Sequence, residues 1–122
     1  MNAQANIDYE EIKNNTSDIT VKCWTSDKKL HNEDGPAKIS YFADGTVSTE
    51  AWYTHGVQSR LGGPAYLSYN IDGSLFLEEW LLDGVPHRTD GPAIVEYNED
   101  GTIRYAAYYE NGELVSEPIY NS

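Results

Sequence analysis

Apolar and polar residues alternate in short runs along most of this chain, and similar runs return at regular intervals. The segments PAKISYF, PAYLSYN and PAIVEYN place Ala, an aliphatic residue and Tyr at every second position. Alternation of period two is typical of a β-strand with one buried face. The runs that follow them, TVSTEAWY, SLFLEEWL and TIRYAAYY, are rich in β-branched and aromatic residues, so each predicts a second strand.

The interval between similar runs is 28 residues, and it holds without slippage. Gly-Pro-Ala triplets and Asp-Gly pairs recur at this interval, and so do four aromatic residues, Trp24, Trp52, Trp80 and Tyr108. A fixed period of this length is the signature of a repeat architecture. We therefore divide the chain into copies 24–51, 52–79 and 80–107 and a partial copy 108–122.

Turn residues separate the predicted strands. Asp-Gly lies between the two strands of each copy, and His55-Gly56, Asp83-Gly84 and Asn111-Gly112 lie between copies, where the first copy has Asp27-Lys28. Such X-Gly pairs supply the positive φ angles of tight hairpins. The sequence therefore predicts an all-β fold, an antiparallel meander of about three and a half hairpin repeats in an elongated twisted sheet.

Three details of this fold can also be predicted. Ala37, Ile39 and Tyr41 share one face of their strand, which we expect to be the core. Strict alternation would place the side chains of Val47 and Trp52 on opposite faces of the strand, and a β-bulge between them would allow both to face inward. Residues 1–20 precede the repeat domain (21–122) as a capping segment, in which IDYEEIKNN favours about two turns of helix.

Composition narrows the functional classes. The chain has 122 residues, enough for one domain, and its 20 acidic and 8 basic residues give a net charge of −12. This charge argues against direct nucleic-acid binding and suits a protein with a basic partner.

Cys23 is the single cysteine, which indicates a reducing compartment. The N-terminus lacks the apolar core of a signal peptide, and no run is apolar enough to span a membrane. We expect a cytoplasmic protein, in the host cytoplasm if it is phage-encoded.

The third copy, WLLDGVPHRTDGPAIVEYNEDG, resembles the MORN-like repeat of small bacterial, phage and large-virus proteins, in the variant that carries Asp-Gly-Pro-Ala. The resemblance covers Trp24 to about Leu114. This form of the repeat is similar to the one in antitoxin-type proteins. It implies antiparallel hairpins stacked into a sheet that serves as a scaffold or binding surface and is not itself catalytic. The second copy departs from the pattern, with Ser59 in place of His and Gly62 in place of Asp.

Two His-Asp pairs are the strongest candidates for chemistry. His31 with Asp34 and His87 with Asp90 could form a metal site or an acid–base pair. The alternative is a side-chain bond that fixes the loop before Gly-Pro. Because Ser59 interrupts the pattern in the middle copy, we favour the structural alternative.

Two further candidates have simpler explanations. SYNIDGSLFLEE imitates a calcium loop through Asn70, Asp72, Gly73 and Glu79, but flanking helices are not predicted, and the repeat period accounts for the spacing. Cys23 is expected to be a small apolar residue. The sequence therefore predicts no catalytic, cofactor-binding or metal-binding residue, and no enzyme.

Aromatic columns and acidic residues form the predicted binding surface. Tyr41, Tyr69 and Tyr97 make one column, and Trp52, Trp80 and Tyr108 make another. Cross-strand packing accounts for at least one column, and the other, if exposed, would anchor a protein interface. The acidic residues either keep the sheet solvated or match a basic partner. The predicted partner-binding residues are Trp52, Trp80, Tyr108, Tyr53, Tyr109, Glu50, Glu78, Glu79, Asp83, Glu96, Glu99 and Glu110.

Three functions stay open at this point. The first is a non-catalytic acidic inhibitor of antitoxin, immunity or phage counter-defence type, which docks on a basic surface of a partner protein; a nuclease or another nucleic-acid-binding protein is one such target. The second is an assembly module that forms a homodimer or longer array through its sheet edges. The third is a hydrolase that uses the His-Asp pairs.

Overall fold

The fold is all-β, as predicted. The computed structural model describes residues 6–121, which form sixteen strands. Within that range there is no helix, and so none that is long and apolar enough to cross a membrane. In chain order the strands are β1 (Asp8–Lys13), β2 (Ile19–Ser26), β3 (Lys29–Leu30), β4 (Lys38–Tyr41), β5 (Val47–Ala51), β6 (Tyr53–Thr54), β7 (Val57–Gln58), β8 (Tyr66–Tyr69), β9 (Leu75–Glu79), β10 (Leu81–Leu82), β11 (Val85–Pro86), β12 (Ile94–Tyr97), β13 (Ile103–Ala107), β14 (Tyr109–Glu110), β15 (Glu113–Leu114) and β16 (Ile119–Tyr120).

Nine of the strands form one open antiparallel sheet in the order β1-β2-β4-β5-β8-β9-β12-β13-β16. Each strand pairs with its neighbours along this meander, and β3 pairs with the end of β2. The sheet confirms the predicted meander of hairpin repeats. Among residues 6–121 this sheet is a single layer, and most of its side chains are half-buried.

The predicted β-bulges recur once per copy. Ser40 pairs with Thr49 while Tyr41 pairs with Val47, which leaves Ser48 as the extra residue. Corresponding register shifts leave Thr20, Phe76 and Arg104 unpaired, so the bulges also follow the repeat. Because a bulge reverses the side-chain alternation, Val47 and Glu50 lie on the same face of the sheet.

Short hairpins form a second row beside the main sheet. This hairpin row consists of β2–β3, β6–β7, β10–β11 and β14–β15. Their turn residues adopt positive φ, including the non-glycine residues Asp27 and Lys28 in the first hairpin. Successive hairpins are joined by two backbone hydrogen bonds, for example from Gly56 N–H to Leu30 O and from Asn32 N–H to Tyr53 O. Every copy is therefore bonded to the next in the main sheet and again in the hairpin row.

The enclosed core is small. Fully buried side chains cluster where the main sheet meets the hairpin row, and they are mostly alanines: Ala37, Ala51, Ala65, Ala93, Ala106 and Ala107. The face predicted to be the core is enclosed at Ala37 and Val95, but Ile39 and Tyr41 are only half-buried. Ile39 and Leu67 also share that face with Glu50, which lies between them in register. Among residues 6–121 the main sheet is a single layer that leaves these side chains half-exposed, so the predicted core is only partly correct.

The predicted helix near the N-terminus is wrong. Residues 8–13 form β1, which pairs with β2 at the edge of the main sheet. The Tyr9 ring packs on the Trp24 ring with centroids 5.0 Å apart. The free edge of β2 offers backbone partners that outweigh the weak helix preference of this short polar segment. The capping segment is therefore a strand of the sheet, and its residues 1–5 lie outside the described range.

Candidate functional site

The two candidate His-Asp pairs do not form. The Nδ1 atom of His31 accepts a hydrogen bond from the backbone N–H of His55 at 2.9 Å, and His87 Nδ1 accepts from Asn111 N–H at 2.9 Å. Both donors are turn residues in the next hairpin of the row. His31 is only 1% exposed, which leaves its ring no access to a substrate. These side chains fix the loops, as expected, but through the turn of the following copy.

Ser59 makes the same bond in the middle copy. Its Oγ accepts from the backbone N–H of Asp83 at 2.9 Å, and the donor again lies 24 residues ahead of the acceptor. His and Ser therefore have the same role here, as acceptors of a hydrogen bond from the next copy. The substitution that looked like a lost site preserves the contact between copies.

The calcium-like segment belongs to a turn. Asp72 Oδ1 accepts from the backbone N–H of Ser74 at 2.9 Å and from its hydroxyl at 2.6 Å. These bonds lower the pKa of the Asp72 carboxyl. Hydrogen bonds from Thr46 and Thr102 lower the pKa values of Asp44 and Asp100 in the same way. Glu79 lies at the far end of β9 from this turn. Among residues 6–121, no three His, Cys, Asp or Glu side chains are grouped to hold a metal ion.

Cys23 lies in surroundings that keep its thiol protonated. Partial burial raises the pKa of the thiol, and the nearby Glu10 carboxylate raises it further, although Lys38 opposes the shift. Sγ lies 3.9 Å from Glu10 Oε1. A reactive cysteine needs the reverse, a positive environment that lowers its pKa.

Two of the predicted binding aromatics carry an arginine on their rings. The Arg60 guanidinium lies 4.0 Å from the centre of the Trp52 ring, and that of Arg88 lies 3.8 Å from the centre of the Trp80 ring. In the first copy, the Tyr9 ring of the neighbouring strand β1 packs on Trp24. The tryptophan column is therefore half-buried and partly covered, and it does not form a bare aromatic patch.

This stacking explains the Gly-Pro-Ala triplet. A Cβ atom added at Gly91 would lie 2.9 Å from Arg88 Cζ, so a larger residue there would force the guanidinium to move. Arg88 Nη1 also donates to the carbonyl oxygen of Pro92 at 3.2 Å, and the next residue, Ala93, is completely buried. The second copy repeats this geometry. In the first copy, Asn32 makes the bond to the Pro36 carbonyl.

The tyrosine column is bonded to two of the predicted acidic residues. Tyr69 donates to Glu50 at 2.7 Å, and Tyr97 donates to Glu78 at 3.2 Å. Burial and the Glu50 carboxylate together raise the pKa of Tyr69 to about 12. These pairs link neighbouring copies, so their carboxylates are less free for a partner.

The twelve predicted binding residues do not form one patch. Glu79 and Glu96 lie on the face opposite Glu50 and Glu78, and burial raises the pKa of Glu79. The others divide between a hairpin-row turn (Asp83), a main-sheet turn (Glu99), hairpin strands (half-buried Tyr53 and Tyr109 and exposed Glu110) and the tryptophan column (Trp52, Trp80, Tyr108).

Charge is distributed unevenly along the repeat. All five lysines lie between residues 13 and 38, whereas residues 39–122 hold thirteen acidic residues against three arginines, a net charge of −10. Two of those arginines, Arg60 and Arg88, are turned onto tryptophan rings. The later copies therefore present an almost entirely acidic surface.

The sequence prediction missed a groove in the hairpin row. It has a volume of about 1210 Å³ and lies between loop 32–36 of the first copy and loop 59–61 of the second. A smaller pocket of about 280 Å³ continues it beside Trp80 and Arg88. Leu61 and Leu82 line both. The signal was present in the sequence, because Leu61 replaces the Glu33 and Thr89 of the neighbouring copies.

Comparisons with protein-family models, with curated proteins and with solved structures find no match for this chain.

We expect removal of a cross-copy acceptor to weaken the fold. His31→Ala removes a buried ring and its hydrogen bond, so it should lower the free energy of unfolding by about 1–3 kcal/mol, and Ser59→Ala by about 1 kcal/mol. Asp34→Ala is the matched control and should cost less than about 0.5 kcal/mol, because Asp34 is exposed. Urea unfolding measures all three. An Asp34 effect as large as that of His31 would contradict this assignment.

The glycines before proline should differ in their tolerance of alanine. Gly91→Ala displaces the Arg88 guanidinium, whereas the nearest atom to a Cβ at Gly35 is 3.9 Å away. Gly91→Ala should therefore be less stable than Gly35→Ala by about 0.5–1 kcal/mol, because the displaced guanidinium is the end of a flexible side chain and loses mainly its stacking on Trp80. Urea unfolding followed by tryptophan emission measures the difference. In an Arg88→Ala background, Gly91→Ala should cost nothing further, and a persisting cost would contradict the stacking explanation.

Proposed function

We propose that this chain is a MORN-like repeat protein that acts without catalysis, as a stoichiometric inhibitor of antitoxin, immunity or phage counter-defence type. It docks on a basic surface of a partner protein, and its carboxylates take the place of nucleic-acid phosphates there. We place it in the cytoplasm, in the host's if it is phage-encoded.

The distribution of charge carries this proposal. The net charge of −10 in residues 39–122 lies on a rigid framework in which each copy is bonded twice to the next. A rigid acidic surface attracts a basic partner over a distance and loses little conformational entropy on docking. The repeat also supplies a large area without a deep, enclosed site.

Self-assembly through the sheet edges is the second candidate. All six residues of β1 are exposed, and the outer backbone groups of this edge strand could pair with another chain. Symmetric antiparallel pairing of two β1 strands about their centre would place Glu10 opposite Glu11, which repel, and Asp8 opposite Lys13, which attract, so the charges of this strand do not favour or exclude pairing. The mass in solution decides this: a monomer at high concentration excludes assembly.

A hydrolase is the weakest of the three candidates. It would need the imidazole rings of His31 and His87, whose Nδ1 atoms accept backbone hydrogen bonds. His31 is also buried. A general base must reach the proton that it removes.

Capture of a partner from host lysate tests the proposed function. The immobilised protein should retain a basic protein at low salt and release it at high salt, because the attraction between exposed charges is screened. The purified partner should then lose its nucleic-acid binding at one equivalent of this chain. Absence of a salt-sensitive protein partner would contradict the proposal.

Matched charge variants sharpen that experiment. Asp83→Asn, Glu99→Gln and Glu110→Gln together remove three charges from the acidic copies. Asp8→Asn, Glu10→Gln and Asp27→Asn remove three from the N-terminal part. The first triple variant should slow association with the partner severalfold and the second should have little effect, since steering follows the local field. Equal effects would show that only the net charge matters.

A further inference from the structure

The middle copy differs from its neighbours at three positions of one loop. Ser59, Leu61 and Gly62 stand where the other copies have His, a polar residue and Asp. Ser59 preserves the hydrogen bond to the next copy. The Leu61 position holds Glu33 in the first copy and Thr89 in the third, so the fold does not require an apolar side chain there.

Leu61 is held out from the surface. It is 83% exposed, the largest exposure among the large hydrophobic side chains of residues 6–121. Gly62 behind it has a φ of +75°, whereas Asp34 and Asp90 at the same position have ordinary negative φ. The loop of the middle copy therefore has a different backbone conformation from the other two, and Leu61 projects from it.

The groove beside Leu61 has an apolar wall and an acidic rim. Its wall includes Leu61, Leu82, Val57 and the Trp52 ring. Glu33 and Asp34 line one side and Asp83 the other, and all three are exposed. The one cation in its lining, Arg60, is stacked on Trp52 and donates to Pro64 O.

We propose that this groove binds an extended, basic segment of the partner protein, which places an aliphatic or aromatic side chain against Leu61 and Leu82 and its lysines or arginines beside Glu33, Asp34 and Asp83. The inference rests on the proposed function and gives it a location. Charge complementarity selects this occupant, because a second copy of the chain would bring its own acidic rim to the groove. The groove volume, about 1210 Å³, accommodates several side chains of such a segment.

Substitutions taken from the neighbouring copies provide the test. Leu61→Thr introduces the residue of the third copy and should leave the fold intact. Ile71→Thr is the matched control: Ile71 is also apolar and 63% exposed in the same copy, but it lies in the turn at the opposite end of β8. Both variants should unfold at the same urea concentration as the unmodified protein.

A library of random twelve-residue peptides displayed on phage serves as the probe. Selection on the unmodified protein should enrich peptides that combine lysine or arginine with an aliphatic or aromatic residue. Leu61→Thr should weaken the affinity of those peptides about tenfold, and Ile71→Thr should change it less than about twofold, since a central apolar anchor dominates binding. Enrichment of acidic peptides, no enrichment, or equal binding to Leu61→Thr would overturn the inference.

The natural partner distinguishes this failure from failure of the proposed function. If the partner captured from lysate binds Leu61→Thr as tightly as the unmodified protein, the groove is not the docking site although the inhibitor proposal stands. If lysate yields no salt-sensitive partner, the proposed function fails, and the inference that rests on it fails with it.

Discussion

The hydrogen bond that the turn of one copy donates to the loop of the preceding copy is the interaction on which this molecule depends. A single-layer sheet encloses little apolar surface, so the hydrophobic effect alone cannot hold successive copies in register. Side-chain acceptors at His31, Ser59 and His87 close the hairpin row, and two backbone bonds accompany each of them. The copies are thus joined at both ends of each repeat, and the sheet becomes a rigid platform.

In the second and third copies, the Gly-Pro-Ala triplet has a physical explanation at each residue. Glycine admits the arginine side chain that stacks on tryptophan, the proline carbonyl accepts that arginine's hydrogen bond, and alanine fills the buried junction between the two rows. The arginines held in this way are half-buried, and Arg88 also pairs with the Asp90 carboxylate at 2.8 Å.

Much of the fold could be predicted from the sequence because period-two alternation and X-Gly turns are local signals. The β-bulge was foreseen from the parity conflict between Val47 and Trp52. The segment around Tyr9 was predicted wrongly because its strand forms only against the free edge of β2, which no local pattern reveals. The target of His31 lies 24 residues ahead and depends on how hairpins stack. The equivalence of Ser59 and His became visible only once both were seen to accept the same bond.

Different positions of the repeat serve the fold and the proposed function. A position that joins copies keeps a hydrogen-bond acceptor when its residue changes, as at Ser59, whereas the fold does not require an apolar residue at the Leu61 position.

Amide hydrogen exchange tests the central claim most directly. The turn amides of His55, Asp83 and Asn111 should exchange at least about tenfold more slowly than that of Asp27, which occupies the same place in the first hairpin but has no acceptor among residues 6–121. Equally fast exchange of all four amides would contradict the account.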